Sequence, residues 1–320
     1  MDFQILISNL SNPTLLFFVL GILAVLVKSD LEIPASSSKF ISLYLLFAIG
    51  FKGGQELSHS EFTREIAYSI LFGLLVSGFI PLYCFFVLKR KMSVSNAGAV
   101  AATYGSVSAV TFVSAVAFLE AQQITFGGHM VAVMALMESP AIIVGVILMR
   151  LYREEGEAKG KVGSIVQHSF TNGSVLLILG SLLIGLIADS KQAEGIKPFT
   201  TDIFKGFLAI FLLEMGMVTA RGFSSFKKYG LFLSVFAILV PAINGCLVAY
   251  LSSWVTDDLG NRFIFSILAA SASYIAVPAA MRLAAPKANP GLFVPMALGL
   301  TFPFNITVGM PLYFAIIQYF

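Results

Sequence analysis

The chain has 320 residues, 58% of them hydrophobic and 12% charged, with a formal charge of +3. Soluble domains carry roughly a quarter charged residues, so lipid and not water must surround most of this surface. Two cysteines exclude a disulfide framework or a cysteine metal site, and the excess Lys and Arg flank apolar runs, where they report membrane orientation and not a nucleic-acid partner.

The apolar runs are long and continuous, which predicts α-helical spans and excludes a barrel. Met1–Asn12 has no basic residue and Lys28 follows the first apolar run, so this segment reads as the start of a retained helix with its N-terminus outside, not as a secretory signal. In chain order the spans fall near 13–28, 38–55, 65–88, 94–118 and 126–150, then 172–189, 201–221, 229–252, 261–283 and 290–319. Cys84 and Cys246 lie inside such runs and read as small packing residues. Pro278, Pro295, Pro303 and Pro311 interrupt the last two spans. The polar stretch Tyr152 to Phe170 reads as a solvated linker, which divides the chain into a first repeat, 1–151, a linker, 152–170, and a second repeat, 171–320. With the N-terminus outside, the loops assigned to the cytoplasm hold fourteen basic residues, among them Lys89, Arg90, Lys91, Lys227 and Lys228, and the opposite side holds five. That bias places both termini outside.

Sliding the chain on itself gives five ordered pairings, one per span. Leu20-Gly21 pairs with Leu179-Gly180, Gly50 with Gly216, Pro81 with Pro241, Ser106 and Ala109-Val110 with Ser273 and Ala276-Val277, and Met134-Ala135-Leu136 with Met296-Ala297-Leu298. Each repeat has an odd number of spans, so the second enters the membrane from the opposite side. This 5+5 inverted repeat is the design of secondary transporters.

The fourth span reads Thr103-Tyr104-Gly105-Ser106-Val107-Ser108, and the ninth reads Ser271-Ala272-Ser273-Tyr274-Ile275-Ala276-Val277-Pro278. Both concentrate small residues and one aromatic at mid-span, and Gly105 and Pro278 each weaken helical continuity. Small-residue stretches also serve as packing seams. Their occurrence at paired positions favours two broken helices, whose N-termini and the hydroxyls of Ser106, Ser108 and Ser273 would attract an anion. Neither segment contains Lys or Arg, so a co-bound cation would supply the countercharge. Hard oxygens for sodium are Thr103, Glu138, Ser139, Thr301 and Asn305. Glu214 is a second deep carboxylate with a structural or functional role, His129 and His168 read as interfacial, and Arg282 can snorkel to the inner surface.

No His-Glu-x-x-His, Gly-x-Ser-x-Gly or Gly-x4-Gly-Lys-Ser/Thr motif occurs, so neither hydrolysis nor ATP-driven pumping has its parts. The expected protein is not an enzyme and takes no cofactor beyond Na+ as coupling ion. A carrier of another small anion or carboxylate, a sodium/proton exchanger, a channel and a structural membrane protein stay open at this level.

Several stretches resemble one family. Ser11-Asn12-Pro13-Thr14-Leu15, Gly50-Phe51-Lys52-Gly53-Gly54, Tyr104-Gly105-Ser106-Val107-Ser108 and above all Ala272-Ser273-Tyr274-Ile275-Ala276-Val277-Pro278-Ala279-Ala280-Met281-Arg282 are similar to the sodium-dependent bicarbonate transporters (SbtA-like) of cyanobacteria and their wider bacterial relatives. The resemblance covers nearly the whole chain. It implies an all-α, ten-span protein of the bacterial inner membrane, a homotrimer, and a mobile core of spans 3–5 and 8–10 working against a gate of spans 1, 2, 6 and 7. It also implies bicarbonate at Gly105, Ser106, Ser108, Ala272, Ser273 and Tyr274, with Thr103, Glu138 and Asn305 near sodium. The linker is shorter than the cytoplasmic loop of the cyanobacterial members, which leaves their PII-like regulatory partner open here.

Overall fold

The computed structural model describes residues 13–58, 63–152, 173–223, 230–274, 276–285 and 287–320. The expectations for Met1–Asn12, for His168, for most of the linker and for the Arg282 side chain lie outside the described residues. Among the described residues the chain is helical, with no strand. In chain order the helices are α1 (Pro13–Leu26), α2 (Ala35–Ser58), α3 (Arg64–Leu88), α4 (Val94–Gly105), α5 (Ala109–Ala121), α6 (His129–Leu151) and α7 (Gly173–Ile187). After short turns of helix between Ser190 and Asp202 come α8 (Phe204–Phe223), α9 (Gly230–Leu251), α10 (Leu259–Ala270), α11 (Ala276–Ala284) and α12, which runs over Pro290–Tyr319. Five stretches are long and apolar enough to cross a membrane: α3, α4 with α5, α6, α9 with its short extension, and α12. A multi-pass membrane protein follows.

Burial separates these stretches by role. Of the most apolar part of α4–α5, 94% is buried, against 33% for α3 and 39% for α9. The two outer helices keep apolar stripes exposed, Leu71, Leu75 and Phe79 on α3 and Val235, Leu239 and Ile243 on α9, as helices facing lipid do. Inside, Phe118 of α5 stacks on Phe263 of α10 with ring centroids 4.9 Å apart, and Phe314 of α12 meets both rings edge-on. Aromatic rings thus join the first half of the chain to the second.

The halves also exchange helices. α1 packs on α8 and α2 packs on α7. Both crossings are glycine contacts: a Cβ on Gly21 would meet the Leu213 carbonyl and one on Gly216 the Phe18 carbonyl, while Gly54 meets Leu182 and Gly185 meets Phe51 in the same manner. Such close backbone approach is open only to glycine. These contacts shift two of the pairings read from sequence. Gly21 stands to the α1–α8 crossing as Gly185, and not Gly180, stands to the α2–α7 crossing; likewise Gly54, and not Gly50, corresponds to Gly216. A Cβ on Gly180 would meet nothing within 4 Å.

The long last helix is continuous although Pro295, Pro303 and Pro311 lie in it. Pro303 and Pro311 have no N–H to donate, and the helix widens into π turns just before each, at Ala297–Thr301 and Asn305–Gly309. The widened turns carry Thr301 and Asn305 inward, where both are buried.

Candidate site at two crossed helix breaks

Two helices stop and restart inside the protein. α4 has 12 residues, begins at Ser93, whose hydroxyl accepts from Asn96 N–H, and ends at Ser106 with φ −84° and ψ 166°. α10 also has 12 residues, begins at Asp258, whose carboxylate accepts from Asn261 N–H, and ends at Ser271 with φ −80° and ψ 168°. Position for position, Ser106 therefore matches Ser271, whereas the sequence pairing put it on Ser273. The restarts, Ala109 and Ala276, do match as read, so the second break is two residues longer and Ser273 falls in the extra length. Gly105 closes α4 as expected: a Cβ there would strike the Pro81 ring and Ala141. Pro278 is not the breaker. It sits in the first turn of α11, where its missing N–H would have had no helical acceptor.

The breaks cross and satisfy each other. Ser273 N–H donates to the Thr103 carbonyl at 2.9 Å, and Ser108 N–H donates to the Ser271 hydroxyl at 3.0 Å. Ser271 passes its own proton to the Leu268 carbonyl at 2.8 Å. Ser108 also caps α5, its hydroxyl accepting from Thr111 N–H at 3.1 Å. The first N–H groups of α5 and α11, at Ala109 and at Ala276, have no acceptor within their own helices. Each of these helices thus presents its positive end to the buried crossing, where Ser106, Ser108, Ala272 and Ser273 are all buried. The Tyr274 hydroxyl is buried beside Ser108 without completing a hydrogen bond.

The expected cation ligands are held by two separate sets of bonds. Ser106 donates to the Glu138 carbonyl at 3.3 Å, which ties the first break to α6; on the next residue, the Ser139 hydroxyl is buried with no hydrogen bond. Glu138 itself is half-buried. On the other side, Asn305 donates to the Ala270 carbonyl at 2.7 Å, capping the end of α10, and its amide oxygen accepts from Tyr313 at 3.3 Å. Thr301 donates to the Ala237 carbonyl at 2.7 Å and lies 2.8 Å from the Tyr104 hydroxyl. Thr103 donates back to the Ala99 carbonyl at 2.9 Å, leaving its hydroxyl lone pairs open. The hydrogen bonds bring Thr103, Ser106, Ser108 and Ser273 to the crossing itself, whereas Glu138, Thr301 and Asn305 reach it through a backbone carbonyl or through Tyr104. Ser271, which the sequence reading quoted without assigning it a role, is the central link. Its position as the residue after a 12-residue capped helix is the signal that could have found it.

Such a crossing has two faces of opposite polarity. Helix N-termini attract anions, while the carbonyl ends of α4 and α10, with the surrounding hydroxyls, attract a hard cation. Residues 13–318 match the profile of the Na+-dependent bicarbonate transporter superfamily. The chain belongs to that superfamily. No curated protein matches the chain. Membership in a Na+-dependent bicarbonate transporter superfamily fits a buried site built from helix ends and hydroxyls, and it makes this a transport protein.

Proposed function

We propose that this protein is a sodium-coupled importer of bicarbonate that works by alternating access, with α3–α6 and α9–α12 moving as an elevator-like core against a gate of α1, α2, α7 and α8. The observation that carries the reading is the buried crossing of two helix breaks tied by the Ser273–Thr103 and Ser108–Ser271 hydrogen bonds. Bicarbonate sits at Gly105, Ser106, Ser108, Ala272, Ser273 and Tyr274, against the N-termini of α5 and α11. Sodium is taken by oxygens drawn from Thr103, Glu138, Ser139, Thr301 and Asn305. It serves as the coupling ion, with no other cofactor. Neither break contains Lys or Arg, so the cation offsets the anion's charge and neither binds well alone.

The reciprocal glycine crossings and the equal lengths and caps of α4 and α10 support ten spans in a 5+5 inverted repeat, which converts one conformation into its mirror state. The Lys and Arg bias supports both termini outside, and the resemblance to bacterial transporters supports a bacterial inner membrane. The exposed stripes on α3 and α9 let the core slide along lipid, and the exposed Leu16, Leu20 and Leu23 of α1 offer the gate a face for the subunit contacts of a homotrimer. The short linker offers a PII-like partner little to bind.

Uptake of labelled bicarbonate into proteoliposomes, with sodium or choline outside, tests the reading. Uptake is expected in sodium and not in choline. Equal rates in both salts remove coupling, and no uptake in either removes bicarbonate. Ser273→Ala should weaken bicarbonate binding by a factor of roughly five to 150, the loss of one donor in a desolvated site; unchanged kinetics would return Ser273 to a packing role.

A further inference from the structure

A cavity of about 140 Å³ opens where α2, α5, α6 and α8 meet, away from the crossed breaks. Its walls are mainly apolar, and the charged side chains lining it are Lys52 and Glu120. Glu120 reaches Lys205 of α8 at 3.9 Å. Lys52 has no carboxylate partner among the described residues: its half-buried ammonium lies over the Phe204 ring, 5.8 Å from the centroid. A ring face attracts the charge without taking up the N–H donors, which stay available to a ligand. Within the lining, Lys52 and Glu120 cancel; Lys205, exposed and outside the lining, offsets Glu120 from the rim, so the three groups together carry one positive charge. The volume admits a small oxyanion with a few waters and little more.

The position of Lys52 has a counterpart. Lys52 stands two residues before Gly54 at the α2–α7 crossing, and Glu214 stands two residues before Gly216 at the α8–α1 crossing. One carboxylate oxygen of Glu214 is buried without a hydrogen bond among the described residues, Ser38 and Tyr274 are its polar neighbours, and Arg221, two turns on, is the cation that acts on it. Corresponding places in the two halves thus carry opposite charges. On the orientation proposed above, the positive one is toward the outside and the negative one toward the cytoplasm.

We propose that the Lys52 cavity is an outer capture site for a small oxyanion, the transported bicarbonate, and that Glu214 at the matching inner position repels the same anion and hastens its release. The inference rests on the proposed bicarbonate transport, from which its test can be told apart. An unpaired ammonium between low-dielectric walls raises the local anion concentration, and field focusing of this kind changes capture by a factor of ten or more. The carboxylate opposite does the reverse, so two halves of like backbone give unlike mouths.

The test compares wild type, Lys52→Gln, Lys52→Met, Lys52→Arg and Glu214→Gln in oriented proteoliposomes at fixed sodium, each first checked for a single size-exclusion peak. Lys52→Gln and Lys52→Met should raise KM for external bicarbonate about tenfold with little change in maximal rate, and Lys52→Arg should restore it. Lys52→Met keeps the aliphatic stem against Phe204, so it separates charge from packing. Raising ionic strength with choline gluconate should narrow the gap between wild type and both neutral variants, which a purely structural effect would not do. Glu214→Gln should lower KM for efflux from inside by more than it changes external KM, since Glu214 also neighbours Tyr274, and an unchanged efflux KM overturns the inner half of the inference. A wild type that carries no bicarbonate overturns the transport reading and this inference with it. Normal wild-type uptake with unchanged external KM in both neutral variants overturns the capture site alone.

Discussion

The first helix break is short and both of its serine hydroxyls are hydrogen-bonded, whereas the second is two residues longer and leaves the Tyr274 hydroxyl over. Ser108 caps the restart of α5 from within the first break. In the second, Ser273 spends its N–H on Thr103 of the other half, Ser271 serves Ser108, and the Tyr274 hydroxyl completes no bond. Equal helices of 12 residues lead into both, so the difference lies wholly in the connecting residues. A break that must hold its shape satisfies its own polar groups, and a break that must meet a ligand keeps some unsatisfied. Both breaks touch the proposed anion, and on this contrast the first is the fixed side of that contact and the second the adaptable one.

Three substitutions can break or sharpen that contrast. The largest effect belongs to the fixed side. Gly105→Val drives a branched side chain into the Pro81 ring and Ala141, and a cost of about 3 kcal/mol is expected from overpacking. Thermal unfolding followed in detergent should show a clear fall in Tm together with lost uptake; a stable, active variant would mean that α3 and α4 do not hold the first break. Next comes Ser271→Ala, which strips the acceptor from a buried Ser108 N–H and should cost about 1–3 kcal/mol. If the stability of Ser271→Ala matches wild type, the two breaks are not tied together by this bond. Smallest in stability is Tyr274→Phe, since it removes a hydroxyl that completes no hydrogen bond among the described residues. Its unfolding free energy should stay within about 1 kcal/mol of wild type or rise, while bicarbonate uptake falls. A stability loss with normal uptake would reverse the roles assigned to the two breaks.

Much of this was legible in the residues. Composition and apolar runs give a multi-pass helical protein, and glycine, serine and alanine at mid-span mark both breaks before any coordinates. The pairing of the halves was less legible. Small residues recur so often in apolar helices that Gly180 and Gly50 align as well by letter as Gly185 and Gly54 do by contact. Proline misled in two places for one reason. Its effect depends on whether a helical acceptor exists for the N–H it lacks, so Pro278 starts a helix that it was expected to break, and Pro303 and Pro311 widen α12 without ending it.

The sequence by itself determined the solvent of this protein, its helical class and the polar content of its buried centre, because these follow from hydropathy and from the backbone's need for hydrogen bonds in lipid. Only the tertiary structure decided which serine answers which. Ser271 rather than Ser273 matches Ser106, and Lys52 lies over the Phe204 ring at the edge of a cavity. Ser108 and Ser271, more than 160 positions apart, meet where the two breaks cross, and the halves meet again where Gly21 approaches Gly216 and Gly54 approaches Gly185, contacts that leave no periodic mark along the chain.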